Sequence, residues 1–319
     1  MKNLKEYIKE GLFDDIDKLE GKKGLKNNIK FLKKEIIDWI INHTEERIYK
    51  NKLSVDINTT PPTVDYNGDI KMNKSITSLT NDGIFQWSEV SGDFRCNSCT
   101  KLESLKGCPK KVGGYFDCSY CELLESLEGA PKEVCYEFSC AHCKSLKSLK
   151  GCPEKLRGSF NCSKCESLKS LEGAPEKVEI NFYCSNCSSL ETLKGAPEKV
   201  GGDFKCNGCT SLETLKGAPE KVVWDFSCWS CPSLKTLEGA PQEVGGYFDC
   251  SYCPSLKTLE GSPKYVGGHF SCRDCKSLIS LKGAPKKVGG SFNCSFCTSL
   301  KSIEDSPKEI GGELIKINY

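Results

Sequence analysis

A phenylalanine followed two and five residues later by cysteines returns every 22 residues, at Phe94, Phe116, Phe138, Phe160, Phe182, Phe204, Phe226, Phe248, Phe270 and Phe292. No other feature constrains the chain as strongly. One unit reads Val-Gly-Gly-Tyr-Phe-Asp-Cys-Ser-Tyr-Cys from Val112 and, after two more residues, Leu-Glu-Ser-Leu-Glu-Gly-Ala-Pro to Pro131. Ten units in unbroken register leave no room for a conventional globular core. A fixed period in the twenties is the signature of a solenoid, whose units stack only on their neighbours and share one linear core. Within a unit, Phe-x-Cys has the alternation of a short strand, which turns the Phe and the first Cys inward and their neighbours out. Stacked strands of this kind form one parallel sheet. The Leu-x-x-Leu pair, Leu146 and Leu149 for example, completes the core, and Gly-Ala-Pro turns the chain on the far side. Recurrent Gly and Pro exclude a helix there. About four large apolar groups per coil, at roughly 1.5–3 kcal/mol each when buried, offset the ordering entropy only when coils are stacked.

The 23 cysteines follow the repeat and not a pairing scheme: twenty occupy the ten Cys-x-x-Cys pairs, and only Cys108, Cys135 and Cys152 fall outside them. Lys and Glu are interspersed and the net charge is +2, so the one-sided basic footprint of a nucleic-acid or membrane-surface binder is missing. No apolar run approaches the roughly 18 residues of a membrane span, and the first residues lack the apolar core of a secretory signal, which makes a cytoplasm the expected compartment and free thiols the expected state. Two Cys-x-x-Cys pairs have the spacing of a four-thiolate zinc site. The first Cys of each pair, however, lies on a strand facing the core, and no cysteine or histidine from outside the array joins it. The favoured reading is a ladder of buried thiols behaving as small apolar groups, with metal ligation and disulfides as the alternatives and no cofactor expected. A thioredoxin-like role needs a helix N-terminus to depress the thiol pKa, and no helix follows these pairs. The three histidines, His43, His142 and His269, have no nucleophile or partner placed beside them, so a non-enzymatic protein is expected.

Before the array, Leu4, Ile8 and Leu12, then Phe13, Ile16 and Leu19, fit one or two short helices. Leu25, Ile29, Leu32, Ile36 and Ile40 mark an amphipathic helix ending near His43. The turn-prone stretch from Asn58 to Pro62 reads as a linker. Two regions are therefore expected, a helical one over 1–57 and the solenoid over 62–319. From Val64 to Leu79 a degenerate first coil carries Ile70 and Met72 in place of Phe and Cys, and Ile310 to Ile317 begins an eleventh strand without cysteines. Both look like caps.

Leu-x-x-Leu, a Pro turn, Val and then Phe-x-Cys-x-x-Cys resembles a leucine-rich repeat of the short bacterial type, with the second Cys where Asn usually stands. The resemblance covers residues 62–317. It implies a leucine-rich-repeat solenoid: stacked short parallel strands with irregular turns on the far side, preceded by a small α-helical N-terminal region. In that family the Asn forms a buried hydrogen-bonded ladder between coils. Cys99, Cys121 and their equivalents fill the slot as weaker donors, which leaves the backbone pairing of that turn open. Arrays with this Val-Gly-Gly-x-Phe-x-Cys wording also look like those of large-phage proteins of unassigned role. Met1-Lys2 followed by Glu6-Tyr7-Ile8-Lys9-Glu10 looks like the capsid-targeting leader of internal head proteins in tailed phages, which implies cleavage after Glu10. An ordinary helix start is the competing reading of those ten residues.

The outward strand positions vary from coil to coil, and in leucine-rich repeats this sheet is the usual binding face. The resemblance therefore implies a protein partner, held by Tyr115, Asp117, Tyr183, Asp225, Trp229, Tyr247, Asp249, His269 and Arg273. Tyr, Trp and Arg suit such a role; the plain alternative is a solvated sheet without a partner. A second class is a structural component of a phage head addressed by the leader, in host cytoplasm or virion. The Lys or Glu after the first Leu of each pair, such as Glu103, Glu125, Lys147 and Lys169, is expected to form a solvated face with weak cross-coil pairing.

Overall fold

Each Phe opens a two-residue strand that pairs in parallel, without register shift, with the same residue one unit away: Phe160 lies opposite Phe138 on one side and Phe182 on the other. The structure, a computed structural model, describes residues 29–317. Twelve such strands, from Ile70–Lys71 to Leu314–Ile315, form one sheet and define a β-solenoid of about twelve coils. Coils 1 to 10 carry Phe94 to Phe292, each counted from the Val or Leu four residues ahead of its Phe. The Phe rings stack along the axis, 5.2 Å apart between Phe182 and Phe204. With the Leu pairs and both cysteines of each coil they form one buried core from Leu32 to Leu300.

A second sheet, which the sequence reading left as irregular turn, runs beside the first. Lys199–Val200 pairs in parallel with Lys177–Val178 and Lys221–Val222, the Val buried and the Lys exposed. Two residues are too few to show an alternation in sequence. This Lys-Val sheet is interrupted between Glu133–Val134 of coil 3 and Lys155–Leu156 of coil 4. In coil 3 Cys135 and Tyr136 replace both corner glycines, and coil 4 passes so close that a Cβ on Gly158 would lie 1.5 Å from the Tyr136 carbonyl oxygen.

The Cys-x-x-Cys turn is made by a left-handed residue just before the second Cys, from Ser98 (φ 61°) to Phe296 (φ 61°), with Gly208 as the one glycine among ten. This conformation returns the second Cys beneath the preceding coil. Cys187 Sγ donates to the Cys162 carbonyl at 3.2 Å, and the same bond recurs in nine successive coils at 3.1–3.4 Å. The turn stays paired along the backbone as well, as where Lys164 N–H donates to the Ser185 carbonyl at 2.8 Å. The pairing left open by the missing Asn is thus supplied by a thiol donor and a left-handed turn. All 23 cysteines are free, and all but Cys135 and Cys152 are buried. Burial pushes the Cys231 thiol up to about 11 and Cys275 up to about 12, so they remain protonated donors at neutral pH. On the far side Gly217 (φ 90°) is required by space as well as by conformation, since a Cβ there would lie 2.5 Å from the Lys194 nitrogen.

At the N-terminal end a helix over 29–43 lays Leu32, Ile36 and Ile40 on the core. Trp39 meets Phe85 edge-on at 5.4 Å, and Phe85, Trp87 and Phe94 continue the aromatic column. The helix end near His43 agrees with the sequence; the helices expected over the first twenty residues, and Glu10, lie outside the described residues. The stretch expected to be a linker is instead the loop of a hairpin, in which Leu53–Asp56 pairs antiparallel with Thr63–Tyr66. Its turn-prone composition closes the hairpin, with Asn58 N–H donating to Asp56 Oδ1 at 2.9 Å. Ile70 pairs with Phe94 as the degenerate coil requires. At the other end Leu314–Ile315 pairs with Phe292–Asn293, while Ile303, Leu314 and Ile317 stay exposed.

Candidate binding surface

The outward residues beside each Phe divide into those that hold the scaffold and those that face solvent. Ahead of the Phe, the side chain accepts a backbone N–H that the Gly-Gly corner of the next coil leaves over: Asp225 Oδ1 takes Tyr247 N–H at 2.8 Å, and His269 Nδ1 takes Ser291 N–H at 2.8 Å. After the Phe, Asp117 and Asp249 each accept the N–H of the residue two positions on, at 2.9 Å. These are Asx turns. Asp, Asn, Ser and His at these positions can all accept such an N–H, so part of the variation along the face serves the scaffold. Tyr183 is half-buried beneath the Lys205 ammonium, 5.6 Å from its ring.

Of the remaining predicted residues, Trp229, Tyr247 and Arg273 lie in the C-terminal half. Trp229 of coil 7 meets Tyr252 of coil 8 edge-on at 6.4 Å, and the Arg273 guanidinium of coil 9 lies 6.0 Å from Tyr252 and 4.9 Å from Phe296 of coil 10. Tyr247 packs on His269 at 4.9 Å. Tyr115 and Asp117, on coil 2, lie apart from this strip. With Arg95 and Glu137 they line a shallow hollow of about 250 Å³, where burial and the Asp117 carboxylate push the Glu137 carboxyl up.

Sequence reasoning missed two sets. Tyr252 and Phe296, together with Tyr120 stacked on His142 at 4.2 Å, occupy the left-handed position of the Cys-x-x-Cys turn. Large residues where Gly or Asn is easiest were the available signal. The second set is at the corner between the sheets, where Tyr136, Ile180 and Trp224 replace glycine and are exposed. Beside Tyr136, at the break in the Lys-Val sheet, Cys135, Cys152, Arg157 and Glu179 help line a cleft of about 1230 Å³.

On the Leu-x-x-Leu face, Lys147 and Lys235 reach Glu125 and Glu213 of the preceding coil at 2.7 Å each. Both pairs are well exposed, which limits each to about 0–1 kcal/mol. Among the described residues no group of three or more His, Cys, Asp or Glu is placed to hold a metal ion, and no helix is long and apolar enough to cross a membrane. No family model, no curated protein and no solved structure matches the chain.

Proposed function

We propose that the protein is a non-enzymatic binding module of leucine-rich-repeat type that contacts a protein partner through the variable face of its Phe sheet. The observation that carries this reading is the strip of Trp229, Tyr252, Arg273 and Phe296 across coils 7–10, in which a guanidinium is held between two rings on a backbone fixed by the coil ladder. Trp, Tyr and Arg dominate binding energetics where they are rigid and clustered, and here their rotamer entropy is partly spent before any partner arrives. Tyr247 and His269 form a second ring pair on coils 8 and 9 of the same sheet face, while Asp225 and Asp249 each accept a backbone N–H on these coils. The alternative of a phage-head component rests on residues 1–10, which lie outside the described residues.

The test is affinity capture from the native source with the full chain, run beside Trp229→Ala and Arg273→Ala. A protein retained by the parent and lost from both variants supports the strip. Retention of nothing specific, or equal retention by all three, removes the reading.

A further inference from the structure

Trp229, Tyr252, Arg273 and Phe296 alternate between two neighbouring columns of the stack. Trp229 and Arg273 occupy one, two coils apart with Ser251 between them, and Tyr252 and Phe296 occupy the next, two coils apart with Asp274 between them. The offset puts a ring on each side of the Arg273 guanidinium, Tyr252 at 6.0 Å and Phe296 at 4.9 Å. Rings cover the faces of a guanidinium and leave its edge, where five N–H donors lie in one plane.

What takes those donors separates Arg273 from the cations on the strands of the Phe sheet. Lys71 is held by Glu45 at 2.8 Å, Arg95 by Asp93, and Lys205 by Asp203 at 2.9 Å. The Arg273 side chain makes no hydrogen bond or ion pair among the described residues. Acidic residues near it in the stack are engaged elsewhere: Asp274 pairs with Lys276 at 3.8 Å, and Asp249 accepts the Ser251 N–H at 2.9 Å. Asp249 also stands one coil and two residues away, about 8 Å between backbones, where salt screens most of the interaction between exposed charges. A guanidinium positioned by rings instead of by a carboxylate has given up rotamer freedom and kept its charge for a group outside the chain.

Geometry and charge narrow that group. The edge of a guanidinium matches a carboxylate or a phosphate through two parallel hydrogen bonds, and these strengthen where neighbouring rings keep water away. Asp225, Asp249 and Asp274 share the sheet face, and they repel a doubly charged phosphate more than a singly charged carboxylate. The rest of the strip is apolar and open, since Trp229 and Tyr252 are each 44 % exposed and meet edge-on at 6.4 Å. Trp229 lies two coil spacings from Arg273, about 10 Å, or about three residues of extended chain.

We infer that Arg273 binds the carboxylate of a Glu or Asp side chain in an extended segment of the partner protein, and that an apolar side chain three residues away in that segment lies on Trp229 and Tyr252. The inference rests on the strip being the binding surface and adds the partner chemistry that the strip selects.

The experiment is selection of a displayed random heptapeptide library on the immobilised full chain, with counter-selection on the Trp229→Ala, Arg273→Gln double variant. Enriched peptides are expected to carry Asp or Glu with Leu, Met, Phe, Tyr or Trp three residues away. The most enriched peptide, labelled and titrated by fluorescence anisotropy, is expected to bind Arg273→Gln and Trp229→Ala at least fivefold more weakly than the parent and to weaken with added salt. Arg273→Lys keeps the charge without the planar fork and recovers only part of the loss. Lys257→Gln, which removes one charge on the Leu-x-x-Leu face, leaves the affinity unchanged. The variants keep the parent's circular dichroism spectrum and thermal midpoint, which separates lost binding from lost fold. Enriched peptides without an acidic residue, or a peptide that loses affinity for Trp229→Ala and not for Arg273→Gln, overturn the inference and leave the strip as a binding surface. Tighter binding of a phosphoserine peptide than of its Glu counterpart overturns the choice of a carboxylate. No enrichment over the double variant overturns the inference outright, and the capture experiment then decides separately whether the strip binds a protein at all.

Discussion

Raising the pH is the perturbation that tests the thiol ladder most directly. Nineteen cysteines have thiols pushed above their ordinary range in the folded chain, in most of them with burial as a principal cause. In the unfolded chain the same thiols ionise near about 8.5. Above that pH the unfolded state binds fewer protons than the folded one, so stability is complete below it and is lost as pH rises toward the folded values, about 11 for Cys231 and about 12 for Cys275. Each thiol forfeits about 0.2 kcal/mol by pH 8 and about 1.4 kcal/mol by pH 9.5. Ten of the nineteen then remove about 14 kcal/mol, comparable with the whole stability of an ordinary domain. The assay is urea unfolding followed by circular dichroism between pH 7 and 9.5 with a phosphine reductant present. The midpoint should fall only slightly to pH 8 and collapse by pH 9.5. A midpoint that stays level across that range refutes the argument, because it means the thiols are solvated or already ionised in the native state.

Three further outcomes follow from the same geometry. At neutral pH a thiol reagent should modify at most the half-buried Cys135 and Cys152 quickly and reach all 23 cysteines only on denaturation; fast reaction of many more would contradict the burial. Cys187→Ala leaves the Cys162 carbonyl without its donor and should cost about 1–3 kcal/mol, whereas Cys187→Asn restores a donor and should cost less, as read from urea midpoints. Phe182→Ala should cost about 3–5 kcal/mol, and Phe94→Ala nearly as much, because Trp87 continues the ring column at 5.9 Å; a much smaller loss at Phe94 in thermal unfolding would show that the column does not extend into the cap.

What the sequence determined by itself is whatever the 22-residue period carries. Phe182, Cys184, Leu190 and Leu193 were legible as core because each recurs in every coil at an inward register, and a side chain repeated at one register must stack on its own copy. The helix ending near His43 was legible from its own spacing. The Lys-Val strands were not, because two residues show no alternation and become a strand only when the coils on either side supply partners. The hairpin at Asn58 looked like a linker because composition marks a turn but not what the turn joins. Asp225 and His269 read as partner-binding residues of the sheet face and not as scaffold, since the N–H groups they accept belong to the following coil and exist as unmet donors only once the coils are stacked. Tyr136, Ile180 and Trp224 break the corner glycine pattern in the sequence, but the sequence reading passed over them, because only the stacked coils show that they stand at one corner and stay exposed. In a solenoid the sequence fixes what one coil repeats, and the tertiary structure decides what one coil does to the next, because the hydrogen bonds and contacts at issue span about 22 residues of chain and about 5 Å of space.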